Sequence, residues 1–247
     1  MVGAFVRLRR ALGALTKERR KARKREQRMA DYASEIVWDR ACQFPRRCYG
    51  SYAEYENHQR SKLNRIGSRL NRREEEDYPV FLERFRACKQ LEGARSVLCL
   101  GARLGTEVKA LHELGYFAVG IDLNPGPAND YVLPGDFHSL VFASESVDAV
   151  FTNCVDHVFD LEQFTLEVRR VLRPGGLFIA DVMQGADEGF VPGKYESLHW
   201  NKAAEVIAEI QRIAGFECIE LDTPATVRER DKLQDHVQRA LLRKPKH

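Results

Sequence analysis

From Arg95 onward the sequence alternates short apolar runs with amphipathic segments, and this alternation limits the fold more than any other feature. The runs SVLCLG, FAVGID, VDAVF and GLFIADV have strand length, and TEVKALHELG and LEQFTLEVRRVL between them have the apolar spacing of helices. Strands joined by helices form a mostly parallel sheet covered on both faces. Such a sheet binds ligands beyond the carboxyl ends of its strands. We therefore expect the chemistry of this chain in the loops that follow the apolar runs.

The remaining segments divide the chain into three regions. After GLFIADV come a loop (183–198), the helical segment WNKAAEVIAEIQRIAG, the strand FECIEL and a last strand, HVQRALLRK. We predict a basic amphipathic helical tail over 1–30, a helical cap or lid over 31–92 without strands of its own, and one α/β domain over 93–247.

The basic residues are concentrated in the tail. The whole chain has a net charge of +3, whereas residues 1–30 carry eleven Lys or Arg against two Glu, a net +9, so the rest sums to −6. Phe5, Leu8, Leu12 and Leu15 share one helical stripe of the tail. A solvated helix, peripheral docking on an anionic membrane or a partner, and RNA contact remain open. No apolar stretch reaches the roughly 20 residues of a transmembrane segment, and a cytoplasmic location is expected.

The six cysteines predict neither a zinc site nor disulfides. They are Cys42, Cys48, Cys88, Cys99, Cys154 and Cys218, and no two form a C-x-x-C pair. Several lie in apolar runs, which is typical of buried, reduced thiols in a core.

Residues 31–92 are helical and polar in pattern. Tyr52, Tyr55, Gln59, Lys62 and Ile66 fall along one helical face. The same stretch holds an aromatic group, Tyr49, Tyr52, Tyr55 and His58, which fits either a helix core or a lid over an acceptor pocket. Pro79 predicts a helix break or a helix start.

The turn GARLG follows the first apolar run. Gly101 and Gly105 flank a turn whose backbone either approaches a ligand closely or adopts a positive φ. Asp122 ends the second run, 21 positions after Gly101 (122 minus 101). A carboxylate about 20 residues beyond such a turn suits the two hydroxyls of a ribose.

Two further loops add polar groups at strand ends. Asp136 follows Pro134-Gly135 and precedes Phe137, a pair that suits the exocyclic amine and the ring of an adenine. Asn153, Asp156 and His157 follow VDAVF, where a substrate is expected.

With these four loops and RRVLRPGGLFIADV, the chain resembles the class I S-adenosylmethionine-dependent methyltransferases, especially the small-molecule branch with the type 11 pattern. The resemblance covers residues 93–182 by motif and 200–243 by element order. It implies a Rossmann-like, seven-stranded, mostly parallel sheet with an antiparallel last strand, preceded by an N-terminal helical extension. It implies S-adenosylmethionine as cofactor, bound at Gly101, Ala102, Arg103, Gly105, Asp122, Leu123, Asp136, Phe137 and Asn153.

Two positions depart from the family pattern. Cys99 stands where the family usually has an acid, and Arg103 where it usually has glycine. Glu107 is a candidate replacement for the acid, or merely favours the helix N-terminus, and Arg103 is a candidate donor to the cofactor carboxylate. A non-catalytic partner-binding protein on the same fold is one alternative. A nicotinamide enzyme is another, although GARLG lacks the G-x-G-x-x-G spacing.

The loop after VDAVF favours oxygen over planar nitrogen as the methyl acceptor. Enzymes that methylate planar amino groups resemble one another in an Asn/Asp-Pro-Pro-aromatic motif, and this chain has Asn153-Cys154-Val155-Asp156. We hypothesise O-methylation of a hydroxyl on a small molecule or glycan, with His157 as general base and Asp156 as its orienting or substrate-binding partner. His138 and His199 are other candidate bases.

No obligatory metal is expected, although Asp156, Asp160 and Asp181 are oxygen ligands that can gather. The alternative function is an RNA or protein methyltransferase that docks its substrate through the basic tail.

Overall fold

The computed structural model describes residues 2–34, 37–222 and 237–246. The side chains of residues 2–15, 17 and 65–73 lie outside this description. The predicted apolar stripe of the tail, from Phe5 to Leu15, is among them, so its orientation stays a prediction.

A seven-stranded sheet occupies the second half of the chain. Its strands are β3 (Ser96–Leu100), β4 (Phe117–Asp122), β5 (Val132–Pro134), β6 (Val147–Thr152), β7 (Leu172–Met183), β8 (Glu217–Asp222) and β9 (Val237–Arg243). The helices between them are α3 (Thr106–Glu113), α4 (Leu161–Val171) and α5 (Ala203–Ala214). The strand order is β5-β4-β3-β6-β7-β9-β8, parallel from β5 to β7, with β9 antiparallel to both β7 and β8. The predicted fold class is confirmed, and the last strand lies between two others.

The order of strands reverses at β3. The chain runs outward from β3 through β4 to β5 and then returns to the other side of β3 with β6. The loops after β3 and β6 therefore diverge at the carboxyl ends of adjacent strands, which is the switch point where open α/β sheets bind ligands.

The core lies in two layers, one on each face of the sheet. Along β3, Val97 and Cys99 face one layer while Leu98 and Leu100 face the other, as the two-residue period of a strand requires. α4 and α5 cover one face with the apolar residues Phe164, Val168, Val206 and Ile210. α3 and the end of α2 (Tyr52–Ala87) cover the other with Val108, Leu111, Phe81 and Phe85.

The region before the sheet differs from its prediction in two respects. It contains a pair of short antiparallel strands, β1 (Trp38–Asp39) and β2 (Arg46–Arg47), where no strand was expected. This prediction was wrong because two-residue strands carry no detectable periodicity. The backbone N–H of Arg47 also donates to the carbonyl of Ser197, which links this pair to a loop distant in sequence.

Pro79 does not break the helix. α2 runs for 36 residues through Pro79, so the predicted break was wrong. An interior proline costs a helix about 3 kcal/mol. Here the turns beyond it pack Phe81 and Phe85 into the core, and the guanidinium of Arg84 forms an ion pair with Asp181 of β7 at 3.0 Å. These tertiary contacts offset the local penalty.

The tail and the cysteines can also be placed. The helix α1 (Val2–Ala33) includes the predicted tail, and its residues 18–31 are exposed. Cys88, Cys99 and Cys154 are buried as expected, whereas Cys48 and Cys218 are exposed and Cys42 is partly exposed. In the part of the chain described, no helix is both long and apolar enough to cross a bilayer.

Candidate functional site

The turn after β3 has an unusual backbone conformation. Gly101, Arg103 and Gly105 have φ values of +72°, +47° and +79°. A Cβ added at Gly101 would lie 2.2 Å from Sγ of Cys154, which follows β6. Only glycine allows this approach. A Cβ at Gly105 would instead meet Tyr131, so Gly105 serves close packing before β5.

Asp122 connects this turn to the end of β4. Its carboxylate accepts hydrogen bonds from the backbone N–H of Arg103 at 3.1 Å and of Asn124 at 2.8 Å. Two carboxylate oxygens offer about four acceptor sites in total. The partly exposed Asp122 therefore keeps acceptor capacity for a diol while its orientation is held by the backbone.

A cavity with about 470 Å³ of empty space, part of it open to solvent, lies at the carboxyl ends of β3, β4 and β6. Residues after the strands form one side, which we call the strand wall: Gly101, Arg103, Asp122, Leu123, Asn124, Phe137, Cys154 and His157. Residues of α2 form the other, which we call the helix wall: Tyr55, Gln59, Lys62 and Leu63.

Hydrogen bonds fix the imidazole of His157. Its Nδ1 lies 2.8 Å from the carbonyl oxygen of Tyr195, and a carbonyl only accepts, so Nδ1 carries the proton. Nε2 is then the acceptor and lies 2.8 Å from Nζ of Lys62. Burial lowers the pKa of His157 well below its usual value, and the charge of Lys62 lowers it further. The imidazole is therefore neutral, with its lone pair on Nε2.

The Nδ1–H of His157 donates to the Tyr195 carbonyl rather than to Asp156, and the orienting or substrate-binding role of Asp156 stays a prediction. Asp156 is buried and absent from the cavity lining, and its backbone carbonyl accepts from the N–H groups of Ser197 and Leu198. Burial raises the pKa of Asp156 to about 7, and the nearby charge of Glu196 also raises it.

One group of side chains has the composition of a cation site. Asp156, His157 and Glu196 bring ligand atoms within 4.8 Å of one another. Both ring nitrogens of His157 already have partners, Tyr195 and Lys62. The absence of an obligatory metal stays a prediction.

Asp136 lies beside Asp122 along the sheet edge but is already engaged. Asp122 pairs with Pro134 across β4 and β5, so the two acids follow neighbouring strand ends. The Asp136 carboxylate accepts from the hydroxyl of Tyr52 and from the backbone N–H of His138, with the His138 ring 3.0 Å away. It is not part of the cavity lining, whereas Phe137 is. The adenine-binding role of Asp136 stays a prediction.

The cavity gathers some of the predicted site residues and leaves others outside. Those that line it are Gly101, Arg103, Asp122, Leu123, Phe137 and His157. Those outside the lining are Ala102, Gly105, Asp136, Asn153 and Asp156. Ala102 is buried and packs against β4, since a Cβ added at Gly120 would lie only 2.7 Å from the Cβ of Ala102. Asn153 is exposed.

The helix wall was not predicted to line the cavity, although its signal was present in the sequence. Tyr55, Gln59 and Lys62 share one helical face in the sequence, but that spacing does not reveal what the face meets. Asn124 and Cys154 also line the cavity without having been predicted to do so.

The other candidate side chains have structural partners. Nε2 of His138 accepts from the backbone N–H groups of Phe159 and Asp160. His199 is buried against the rings of Tyr32 and Trp200. The carboxylate of Asp181 is held between two buried arginines rather than beside Asp156.

Comparison with known proteins gives a family match for the middle of the chain. Residues 98–180 match the family described as "Methyltransferase domain". Over 89 residues the chain is 36% identical to malonyl-[acyl-carrier protein] O-methyltransferase 1 of Coxiella burnetii. That match covers 34% of this chain and 32% of the relative, so the chain spans about a third of that protein's length.

Solved structures show the same fold. The N1-methyltransferase of Burkholderia thailandensis, solved with 1,6-didemethyltoxoflavin and S-adenosylhomocysteine, has a TM-score of 0.63 at 18% identity, covering 84% of this chain and 98% of that one. A Haloferax volcanii complex of the Trm112 methyltransferase activator with a putative methyltransferase gives 0.56 at 18% identity, covering 76% and 98%.

Residues 98–180 thus carry a methyltransferase domain, and the solved structures share its fold. The recognition of a methyltransferase from the motifs is confirmed for this segment, and the resemblance implies S-adenosylmethionine as its cofactor.

The residues present fit that cofactor. The glycine cradle at Gly101, the oriented carboxylate of Asp122 and the ring of Phe137 open onto one cavity. These groups suit close backbone approach, a ribose diol and a ring face. Glu107, the candidate replacement for the missing acid, is buried and outside the cavity lining.

Proposed function

We propose that the protein transfers a methyl group from S-adenosylmethionine to an oxygen, the hydroxyl of a small molecule or glycan, with His157 as general base. The observation that carries the proposal is the neutral imidazole of His157, which lines the cavity and has its lone pair on Nε2, where Lys62 is the present partner. S-adenosylmethionine supplies an already activated methyl group, so the chain has to align the acceptor, exclude water and take up one proton.

The tautomer of His157 suits proton abstraction. With Nδ1–H donating to Tyr195, Nε2 accepts the hydroxyl proton as the acceptor oxygen attacks, once the acceptor hydroxyl has replaced Lys62 as the partner of Nε2. Because its pKa is held well below the ordinary value, the imidazole is unprotonated at neutral pH, and it can hold the proton only when the charge of Lys62 is drawn away from it. Asp156, which lies beside it with Glu196, helps to balance the positive charge that His157 gains.

The Coxiella relative is an O-methyltransferase, which supports an oxygen acceptor. Its match to this chain covers only the domain, so the name supports the element attacked rather than the molecule that carries it.

His157→Gln tests the proposal. Removing a general base lowers turnover by about 100-fold or more. The measurement is transfer of labelled methyl from S-adenosylmethionine to a panel of phenols, sugars, fatty acids and tRNA. His112→Gln is the matched control, because His112 lies on α3 outside the cavity lining. Turnover of His157→Gln within a few-fold of the wild type would remove His157 from the mechanism.

A second candidate rests on α1. Residues 18–31 form an exposed, mainly basic helical surface, which favours an RNA substrate docked by its phosphates. Arg19→Glu and Arg23→Glu should then weaken tRNA binding and reduce its salt dependence. Binding to anionic vesicles instead of tRNA would indicate membrane docking. The cytoplasmic location is likewise a proposal.

A further inference from the structure

Two cations line the cavity without an ion-pair partner in the described part of the chain. The ammonium of Lys62 bonds to the neutral ring of His157, at 2.8 Å. Arg103 makes its hydrogen bonds through its backbone, donating to Asp122 and accepting from Asn129. Within residues 2–34, 37–222 and 237–246, neither side chain has a carboxylate within 4.0 Å. Charges removed from water are normally paired.

The surroundings of Lys62 disfavour its charge in this state. Burial lowers its pKa to about 8, and the positive charge of Arg103 contributes to that lowering. Glu196, Asp156 and Cys154 act in the opposite direction from a distance, and the ring of Tyr195 lies 5.6 Å away. An anion between Lys62 and Arg103 would relieve the repulsion between them and stabilise both charged forms.

The ligand of this domain carries one such anion. S-adenosylmethionine has a single negatively charged group, the carboxylate of its methionine moiety, and Asp122 is suited to the ribose instead. Resting on the proposed function, we propose that Lys62 and Arg103 bind this carboxylate together, so that α2 completes the cofactor site from the opposite side of the cavity.

This arrangement accounts for the altered turn. Cys99 is fully buried in β3 and supplies no polar group to the amino-acid end of the cofactor. Recognition of that end moves from an acid in the strand to two cations, one in the turn and one on the helix wall. Arg103 contributes a planar fork of donors, and Lys62 has three N–H donors, of which His157 uses one.

The experiment compares two ligands that differ only in the amino-acid moiety. S-adenosylhomocysteine carries the carboxylate, and 5′-methylthioadenosine keeps the adenosine and sulfur without it. Isothermal titration of the full chain with both ligands is carried out for the wild type, Lys62→Met, Arg103→Met and Lys62→Arg. Lys89→Met is the control, since Lys89 is exposed and outside the cavity lining.

We expect Lys62→Met and Arg103→Met each to weaken S-adenosylhomocysteine about 10- to 100-fold, the loss typical of a charge-assisted hydrogen bond. The affinity for 5′-methylthioadenosine should change less than twofold. Lys62→Arg should recover part of the loss because it restores the charge, and Lys89→Met should match the wild type.

Three results would overturn the inference. Equal weakening of both ligands by Lys62→Met would mean that Lys62 only maintains the shape of the cavity. Unchanged affinity for both would place Lys62 at the acceptor. Wild-type protein that binds the two ligands equally well would show that the carboxylate is not recognised. These three leave the proposed function standing, whereas a wild type that binds neither ligand overturns the proposed function as well.

Discussion

The strand wall and the helix wall meet at one cavity, but their side chains are held in different ways. On the strand wall the backbone sets the geometry: Gly101 has a positive φ, and the Asp122 carboxylate is bonded to two backbone N–H groups. On the helix wall the side chains Tyr55, Gln59 and Lys62 reach across to the loops after β6 and β7. Their position depends on how α2 is attached to the sheet.

This difference separates two kinds of contribution to binding. The strand wall belongs to the domain that matches the family, and its residues follow one another closely within 98–180. The helix wall precedes that domain in the chain and is attached at its far end by Arg84, through an ion pair with Asp181. Substitutions that act on one wall at a time therefore test how far the two are independent.

Detaching the helix wall has the largest expected effect. In the described part of the chain, Asp181 is the carboxylate that pairs with both Arg84 and Arg239, and both arginines are buried. Asp181→Asn removes that negative charge. Leaving buried charges unpaired costs about 3–5 kcal/mol of unfolding free energy. In a domain of this size the midpoint of thermal unfolding should fall by roughly 10 °C.

Arg84→Met is the comparison for that variant, because it leaves the pair between Asp181 and Arg239 intact. It should destabilise the protein less than Asp181→Asn in the same thermal melts. A larger loss from Arg84→Met would mean that packing of the α2 stem, rather than charge, attaches the helix wall.

The strand wall should be next most sensitive, at Gly101. Gly101→Ala combines the strain of a positive φ, about 1–2 kcal/mol, with overlap against Sγ of Cys154, about 1–3 kcal/mol. Chemical denaturation measures the sum. Gly115→Ala is matched in φ, at +87°, but meets nothing within 4 Å, so it should show the strain alone. Adding Cys154→Ala to Gly101→Ala should recover the overlap component, and failure to recover any stability would contradict this account of the turn.

Much of the strand wall could be predicted because its determinants are local. The apolar runs and the 21-position spacing from Gly101 to Asp122 depend on segments that alternate along the chain. Parallel strands then bring their carboxyl ends together. Asp136 shows the limit of this reasoning, because Tyr52 and His138 already bond to its carboxylate. The contact with Tyr52 joins residues 84 positions apart, so no local pattern could reveal it.

The helix wall could not be predicted because its determinants are distant. The apolar spacing of α2 is visible, but its placement depends on Arg84 meeting Asp181, 97 positions away. The same contacts carry α2 through Pro79, against local propensity. The strands β1 and β2 are likewise too short to produce a pattern.

A smaller effect is expected at Glu107, which lies behind the strand wall in the first turn of α3. Burial raises its pKa to about 8 from the ordinary value of 4.5. The folded state thus holds a proton that the unfolded state releases above about pH 4.5, so this group makes the protein less stable as pH rises towards 8.

Glu107→Gln removes that titration. The variant should gain about 1–3 kcal/mol over the wild type at pH 8 and little at pH 4.5, as measured by thermal melts across this range. Glu92→Gln, at an exposed position, is the control. A gain independent of pH would show that Glu107 acts through packing rather than ionisation.

The smallest effect tests whether the two walls share one ligand charge. Lys62 has a pKa of about 8, lowered first by burial and then by Arg103, so it loses its charge between pH 7 and pH 9. If its ammonium binds the cofactor carboxylate, affinity for S-adenosylhomocysteine should fall up to about tenfold over that interval.

A bound carboxylate also raises the pKa of Lys62, so binding at pH 8 should take up roughly half a proton. Titration calorimetry in two buffers with different ionisation enthalpies measures this uptake directly. Lys62→Met should abolish it, and 5′-methylthioadenosine should bind without it. Proton release, or the same proton uptake by the Lys62→Met variant, would assign the titrating group to the strand wall. The two walls would then not share the charge of the cofactor carboxylate.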